Sequence, residues 1–449
     1  MTPAIAQDRR GSTSSSASVR ARLEAAISAA RPRPVGRVRS VVGLSILVEG
    51  VNAAIGEAVT LPAPSGELVA EVVAIDDDGL VCLPLGDLQG IRAGAPVEVA
   101  PGRLTIPVGP ELRGRVLNGL GRPIDGGPSL RDLARVPTAG TPPHPLRRSL
   151  VETQLPLGVR AIDALLPCGR GQRLGIFAGS GVGKSSLLSM VARGTEADLS
   201  VIALVGERGR EVREMIEHDL GPAGLARSVV VVATSDEPAL VRLQAAQTAT
   251  RIAEWARDTG QHVVLMMDSL TRYCMAQREV GLSAGEPPAT RGYPPSVFSL
   301  LPRLLERAGA GERGSITGLY TVLVEGDDMN EPIADAARAI LDGHIVLSRQ
   351  LATAGHFPSI DVLESVSRVA PKVTTAEHYG QANELRRLMA AYRDAKDLVE
   401  IGAYVKGTNP TVDRAISLKP AIDHFLRQDA ATVAPISQSL AALATLVAP

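Results

Sequence analysis

Between residues 150 and about 370, apolar runs alternate with longer amphipathic segments. Five runs consist almost entirely of apolar or small residues over the length of a strand: 174–178, 200–205, 229–233, 263–268 and 315–324. The segments between them have the length of helices, such as residues 237–259, which stop at Gly260. Strands that are apolar on both faces and separated by helices predict a parallel sheet covered on both sides, with ligands at the carboxyl ends of the strands.

The flanking regions follow different patterns. Residues 35–108 contain short apolar or alternating runs separated by Gly, Pro and Asp, which is typical of a small all-β domain. Residues 109–149 are rich in Gly, Pro and Arg and predict a loop-dominated connector, whereas helical periodicity returns beyond Thr374. The predicted parts are a leader, a β domain, a connector, an α/β domain and a C-terminal helical domain, at 1–34, 35–108, 109–149, 150–373 and 374–449.

The leader begins with a Ser/Arg-rich tip and continues into a short amphipathic helix candidate at residues 17–30. Val19, Leu23 and Ile27 recur at helical spacing among arginines, and Pro32 stops the pattern. Such a helix would dock on a partner helix or an acidic bilayer surface, and a solvated leader is the equally weighted alternative.

Composition excludes several classes of protein. The 449 residues carry a net charge of −1 and only 2% aromatic residues, which argues against a surface that attracts nucleic acid and stacks its bases. The three cysteines form no C-x-x-C pair and indicate reduced thiols inside the cell. The apolar runs are shorter than a membrane span and no signal peptide is recognisable, so we expect a cytoplasmic protein.

Residues 173–188 read as a buried strand, a glycine-rich turn and the start of a helix, which is the layout of a phosphate-binding loop. Gly179, Gly181 and Gly183 are expected to adopt positive φ angles and to bring backbone N–H groups onto an anion. Lys184 would bridge the β- and γ-phosphates, and the Ser185 hydroxyl would bind Mg²⁺. The predicted ATP-binding residues are Ala178, Gly179, Ser180, Gly181, Val182, Gly183, Lys184, Ser185 and Ser186. Ala178 replaces the first glycine of the Walker A pattern, which a strand-like φ would tolerate.

Two carboxylates follow predicted strands of the same sheet. Glu207 is expected to polarise the attacking water, although Glu207 and Glu211 would equally well form a surface charge cluster with Arg208 and Arg210. Asp268 closes an apolar strand and fits an acidic partner that holds Mg²⁺ through a bound water; the alternative role is the N-cap of a helix beginning at Leu270.

Arg368 follows small polar residues near the end of the α/β domain. In an oligomer, such an arginine can enter the neighbouring subunit's site and stabilise the charge that develops on a transferred phosphoryl group.

Several blocks in order along the chain resemble the type III secretion ATPases, which are relatives of the catalytic subunit of the rotary ATP synthases. The blocks lie at 175–185, 206–211, 232–236, 267–273, 285–298 and 342–349, and the resemblance covers roughly residues 35 to 430. Further blocks at 275–279, 329–335 and 401–407 are closer to the flagellar branch than to the virulence-injectisome branch. The resemblance implies a RecA-like P-loop NTPase core, an N-terminal small β-barrel domain and a C-terminal helical domain.

The same resemblance implies ATP hydrolysis, with ATP and Mg²⁺ as cofactors, coupled to unfolding and export of flagellar proteins by a homohexameric ring. It assigns Lys184, Glu207, Arg208 and Arg368 to catalysis, Ser185 and Asp268 to the metal, and Phe357 to the adenine. The implied partners are a stator-like regulator, a stalk protein, the export gate and chaperone–substrate complexes, with no nucleic acid. The implied location is the cytoplasmic face of the cell membrane, in peripheral contact with it.

Four alternatives remain open at this point. A virulence-injectisome ATPase or a catalytic subunit of a rotary proton-translocating ATP synthase would use the same residues. A helicase-like ring would need aromatic residues in its β domain, yet residues 35–108 contain no Phe, Tyr or Trp. A non-catalytic nucleotide-binding subunit is disfavoured because Lys184, Glu207, Asp268 and Arg368 are all present.

Overall fold

Six strands near the N-terminus close into a barrel in the order β1-β2-β5-β4-β3-β6. The computed structural model describes residues 34–64, 66–100 and 102–448, so nearly all of the predicted leader lies outside the described residues. The barrel strands are β1 (Val35–Val42), β2 (Ser45–Glu49), β3 (Ala58–Ala63), β4 (Gly66–Asp76), β5 (Gly79–Pro84) and β6 (Pro96–Val99). The alternating residues that predicted these strands face inward; Val38, Ile46 and Val72, for example, are buried. The predicted run at 38–48 divides into β1 and β2 at Gly43, whose φ is +59°.

A nine-stranded sheet forms the centre of the molecule in the order β17-β16-β10-β15-β13-β11-β12-β8, with β14 paired to β15. The pairing is parallel throughout except for β17 on β16 and β14 on β15. The strands are β8 (Val116–Asn118), β10 (Arg173–Ala178), β11 (Leu199–Glu207), β12 (Ser228–Thr234), β13 (His262–Asp268), β14 (Gly309–Ala310), β15 (Ser315–Leu323), β16 (Gly343–Leu347) and β17 (Ile360–Ser367).

The connector contributes more than loops. It supplies β8 at one edge of the central sheet, and β9 (Ala134–Pro137) pairs with β7 (Thr105–Val108) in a separate two-stranded ribbon. Local sequence carried no strand signal for β8 because three residues are too few to show a period. The connector is therefore bound to the sheet through backbone hydrogen bonds.

Helices cover both faces of the sheet. The helices are α1 (Arg160–Leu165), α2 (Lys184–Gly194), α3 (Gly209–Glu214), α4 (Gly221–Ala226), α5 (Ala239–Asp258), α6 (Leu270–Ser283), α7 (Pro295–Leu305), α8 (Pro332–Ile340), α9 (Arg349–Thr353), α10 (Ala370–Val373), α11 (Ala376–Glu400), α12 (Pro410–Leu426) and α13 (Ile436–Val447). Within β11, Val201, Ala203 and Val205 join the core formed by α5 to α8, whereas Ile202 and Leu204 join the core formed by α1, α2 and the C-terminal helices. Burial on both faces explains the continuous apolar runs in the sequence.

The last three helices, α11 to α13, form the C-terminal part of the chain. Leu385, Phe425 and Leu443 pack into the same core as α1 and α2. With the barrel and the central sheet, this arrangement confirms the predicted fold class. In the part of the chain that the structure describes, none of the helices combines the length and the apolar character that crossing a bilayer requires.

Polar contacts connect the barrel and the connector to the central domain. Glu71 on β4 accepts a hydrogen bond from Gln244 Nε2 on α5 at 3.0 Å. Arg307 forms a buried, bidentate ion pair with Glu254 at 2.7 and 2.9 Å and also donates to the Thr138 carbonyl of the connector. The Arg307–Glu254 pair is buried and the Glu71–Gln244 pair is partly buried, so both contribute to holding the domains together.

Burial raises the pKa of Glu71 from 4.5 to about 7, with the Gln244 hydrogen bond opposing the rise. A raised carboxyl pKa means that the folded state binds a proton more tightly than the unfolded state. The contribution of Glu71 to stability is therefore present in full below pH 4.5 and is lost as the pH rises through about 7. We therefore compare the free energies of unfolding of the parent chain and of Glu71→Gln, measured by urea denaturation. The parent value minus the Glu71→Gln value should fall between pH 4.5 and about 7.

The control is Glu67→Gln, an exposed glutamate on the same strand. Because Glu67 is exposed in the folded chain, the corresponding difference for Glu67→Gln should not show this fall. A parent-minus-Glu71→Gln difference that is flat or rises with pH would contradict the prediction.

Candidate active site

The phosphate-binding loop connects β10 directly to α2. Ala178 is the last residue of β10, so its strand conformation accommodates the methyl group. Gly181 and Gly183 have φ angles of +76° and +93°, as predicted. Gly179 does not have a positive φ, so that expectation was wrong. A Cβ at Gly179 would instead lie 2.5 Å from Arg349 Nη2, so a larger residue there would push the end of the Arg349 side chain away from the loop.

The first turn of α2 is free to bind an anion. Its N-cap residue, Gly183, provides no side chain to accept from the N–H groups of the first turn. The N-terminal end of the helix dipole therefore meets no capping group from the protein. Ser185 and Ser186, the second and third residues of the helix, are exposed. The loop fits a triphosphate, because backbone donors, a helix N-terminus and a lysine converge on one place.

Lys184 lies between two buried carboxylates. Its Nζ is 2.5 Å from Asp268 Oδ1 and 3.4 Å from Glu207 Oε1. Asp268 and Glu207 are each 4% exposed. They end β13 and β11, which are adjacent parallel strands, so sheet topology alone brings the two acids to the same edge.

Burial raises the pKa of the Asp268 carboxyl above its ordinary value, and the nearby Glu207 carboxylate adds to the rise. Lys184 and a 2.8 Å hydrogen bond from Thr321 Oγ1 oppose it. Helix α6 begins at Leu270 as predicted, but Ser269, not Asp268, caps it by accepting from the Arg272 N–H. The capping alternative for Asp268 is therefore wrong, and its carboxylate points at Lys184 instead.

Glu207 and the charged residues that follow it have different surroundings in the structure. Besides Lys184, Glu207 contacts Arg272, whose Nε lies 3.2 Å from Glu207 Oε1. Arg208 is exposed and pairs with Glu211 at 3.3 Å, forming the surface cluster of the alternative interpretation. Glu207 does not take part in that cluster, and Arg208 does not contact the buried acids.

The predicted metal ligands are Ser185 and Asp268. Within the described residues, no group of three or more His, Cys, Asp or Glu side chains forms a metal cage. Mg²⁺ in phosphate-transfer sites needs no such cage, because it retains waters and binds substrate phosphates with one or two protein oxygens. The exposed Ser185 hydroxyl and the Asp268 carboxylate fit that small donor set.

Arg368 lies far from its own phosphate-binding loop. It follows β17, which runs antiparallel to β16, so Ser367 pairs with Gly343 at the amino end of the parallel strands. The loop extends from the opposite edge, about 15 Å away along the strands. Arg368 is exposed and donates to the Arg338 carbonyl. The structure thus does not bring Arg368 together with Lys184 and Glu207 within one chain.

Phe357 lies against the loop. A Cβ built on Gly183 would be 3.6 Å from two carbons of the Phe357 ring, and the ring is 46% exposed. One side of the ring thus lies next to the start of α2, and the residue is partly exposed to solvent. This placement is suited to a flat ligand that continues from the phosphate site.

Sequence reasoning missed four residues at this site: Arg272, Thr321, Arg349 and Ser359. Thr321 contacts Asp268, Arg272 contacts Glu207, and Arg349 and Ser359 donate to carbonyls of the loop. The one available signal was Thr321, a polar residue near the carboxyl end of a buried strand.

Two family models match the chain. Residues 158–367 match the ATP synthase alpha/beta family, nucleotide-binding domain, and residues 374–445 match the T3SS EscN ATPase C-terminal domain. The chain is 52% identical over 414 residues to the flagellum-specific ATP synthase of Bacillus subtilis, covering 92% of this chain and 94% of the relative. It is 51% identical over 399 residues to the type 3 secretion system ATPase of Xanthomonas euvesicatoria, covering 88% and 90%.

Solved structures match over a similar length. The assembled ATPase EscN of the enteropathogenic Escherichia coli type III secretion system superposes with a TM-score of 0.87 at 46% identity. The match covers 92% of this chain and all of the EscN chain. EscN in complex with its central stalk EscO gives a TM-score of 0.86 at the same identity.

We expect Glu207→Gln to lower the rate of ATP hydrolysis by about 10² to 10⁴-fold while nucleotide affinity stays within a few-fold, because the amide cannot accept a proton from water.

Lys184→Ala should abolish turnover and also weaken nucleotide binding, because it removes the cation of the phosphate site. Hydrolysis is measured by phosphate release and affinity by titration with ADP.

The matched control is Glu211→Gln, which removes the partly exposed carboxylate that pairs with Arg208, four residues away. Its turnover should equal that of the parent chain. Normal hydrolysis by Glu207→Gln would remove Glu207 from the mechanism.

Proposed function

The chain belongs to the flagellum-specific and type III secretion ATPases, a branch of the ATP synthase alpha/beta family, and on this premise we propose that it powers flagellar protein export. It is an ATP hydrolase. The observation that carries the proposal is the convergence of Lys184, Asp268 and Glu207 behind an uncapped helix N-terminus. The sequence blocks at 275–279, 329–335 and 401–407 favour the flagellar branch.

In this proposal, the phosphate-binding loop of residues 178–186 holds ATP and Phe357 packs against its adenine. Lys184 holds the terminal phosphates, and Glu207 accepts a proton from the attacking water while Arg208 contributes at the rim of the site. Ser185 and Asp268 hold Mg²⁺, which supplies neutralisation of phosphate charge. Thr321 and Arg272 keep the two acids oriented.

Arg368 acts on the site of an adjoining subunit. Its exposed position at the far edge of the sheet leaves it without access to its own loop, whereas a neighbour in a ring can face it. The active assembly is a homohexameric ring, with the β domain at 35–108 as its collar. The assembled EscN structures and the complex of EscN with a stalk protein support both the ring and a stalk partner here.

Further partners follow from the same role. They are a stator-like regulator bound by the leader at 1–34, the export gate, and chaperone–substrate complexes bound by the C-terminal domain at 374–449. The α/β domain at 150–373, joined through the connector at 109–149, supplies the energy. The protein works in the cytoplasm, in peripheral contact with the membrane at the export apparatus.

Catalysis across an interface has a direct test. Arg368→Ala should bind nucleotide normally but hydrolyse it about 10³-fold more slowly, because the charge developing on the phosphoryl group loses its arginine. Mixing Arg368→Ala with Glu207→Gln subunits regenerates complete sites at up to about a quarter of the interfaces of a closed ring. We expect phosphate release by the mixture to exceed that of either variant alone.

Mixtures of Arg368→Ala with Lys184→Ala supply a second complementing pair, and a mixture of Lys184→Ala with Glu207→Gln is the control. The control pair damages the same half-site in both subunits and should show no recovery. Equal activity in all three mixtures would refute action across the interface.

Deletion of the gene should abolish swimming, because export of flagellar proteins loses its ATPase. The parent chain supplied in trans should restore motility, Glu211→Gln should restore it equally, and Glu207→Gln should not. Motility is measured by spreading in soft agar. A deletion strain that swims normally but no longer injects proteins into host cells would replace the flagellar role with the injectisome role.

A further inference from the structure

The phosphate-binding loop is held from outside at three alternating carbonyls. Ala178 O accepts from the Val324 N–H at 3.0 Å, Ser180 O from Arg349 Nη1 at 3.1 Å, and Val182 O from Ser359 Oγ at 2.5 Å. The first bond continues the β10–β15 ladder, whereas the other two come from side chains.

A trans peptide points its C=O and the following N–H in opposite directions. The cis peptides of the described chain are Asp268–Ser269 and Phe357–Pro358, so the loop peptides are trans. Holding the Ser180 and Val182 carbonyls outward therefore turns the N–H groups of Gly181 and Gly183 inward, toward the place where phosphates bind.

Gly181 and Gly183 have positive φ angles and no side chains, so the peptide groups next to them can take more than one orientation unless a hydrogen bond holds them. We infer that Arg349 and Ser359 are positioning residues that preorganise the phosphate-binding amides of Gly181 and Gly183. This inference rests on nucleotide binding by the loop, on which the proposed function also depends.

Arg349 is itself held for this task. Its Nε and Nη2 lie 3.0 and 3.3 Å from the two carboxylate oxygens of Asp327, which leaves Nη1 for the Ser180 carbonyl. Gly179 packs against the same pair, since a Cβ there would lie 2.6 Å from Asp327 Oδ1. Asp327 adopts a φ of +60°, which is uncommon for a residue with a side chain.

The two side chains differ in their surroundings. The Arg349 and Asp327 side chains are about half exposed, so their ion pair adds little to overall stability and its loss leaves the fold intact. Ser359 is buried just before β17, and its removal leaves the Val182 carbonyl without this donor. Variants of the two residues thus separate positioning of the loop from stability of the fold.

The test is calorimetric titration of the purified full-length chain with MgADP, alongside thermal unfolding without nucleotide. Arg349→Gln and Ser359→Ala should each weaken binding about tenfold, because the ligand must then order the peptide planes at the expense of its own binding free energy. In ATP hydrolysis, KM should rise more than kcat falls, since the amides contact the phosphates before and during reaction. In Glu207→Gln, by contrast, kcat should fall more than KM rises.

Two controls match the variants. Gln350→Ala alters an exposed neighbour of Arg349 and should change neither affinity nor stability. Ser228→Ala removes the same kind of buried bond, from Ser228 Oγ to the Gly224 carbonyl at 2.7 Å, on a strand remote from the loop. It should lower the unfolding temperature as Ser359→Ala does, yet leave MgADP affinity unchanged.

An Arg349→Gln chain that folds and binds MgADP within twofold of the parent would overturn the inference. So would an equal loss of affinity in Ser228→Ala and Ser359→Ala, because it would trace the effect to stability alone. Failure of the parent chain itself to bind MgADP would instead refute nucleotide binding, which distinguishes failure of the proposed function from failure of the positioning role.

Discussion

Placing two carboxylates side by side in a buried site requires a cation between them, and Lys184 provides it. Asp268 and Glu207 are both almost inaccessible to solvent, so keeping either side chain ionised without a partner would be costly. Lys184 Nζ lies 2.5 Å from Asp268 and 3.4 Å from Glu207, and Arg272 Nε lies 3.2 Å from Glu207, so two cations balance the two carboxylates. Phosphates that attract Lys184 would leave the acids in need of another cation, which is the role that suits Mg²⁺.

The sheet topology creates this arrangement without special local sequence. β10, β15, β13 and β11 are parallel neighbours, so the loop, Thr321, Asp268 and Glu207 reach one edge together. Helices on both faces exclude water beneath that edge. The barrel and the connector contact the same domain through groups such as Glu71 and the Arg307–Glu254 pair. These contacts connect all three parts of a protomer to the domain that carries the phosphate-binding loop.

The reversal of β17 has the opposite effect, because it carries Arg368 to the far edge. On the proposed mechanism, each chain thus keeps its Arg368 out of reach of its own phosphate-binding loop. On the same mechanism, a closed ring would bring Arg368 to the site of a neighbouring subunit, and hydrolysis would then depend on subunit contact. The peptide planes of the loop, held by Arg349 and Ser359, belong to the half-site that each subunit prepares alone.

Most of the fold and the centre of the site were determined by the sequence itself. The apolar runs predicted β10 to β13 and β15 because burial on both faces leaves a local mark, and the loop was legible because its strand, glycines and lysine are consecutive. The strands β8, β16 and β17 escaped prediction, since they are short or half exposed at the sheet edge. Only the tertiary structure could bring Arg272 to Glu207, Thr321 to Asp268 and Arg349 to Ser180. Each contact joins residues more than 50 positions apart, and the order in which strands pair is not written in any local period.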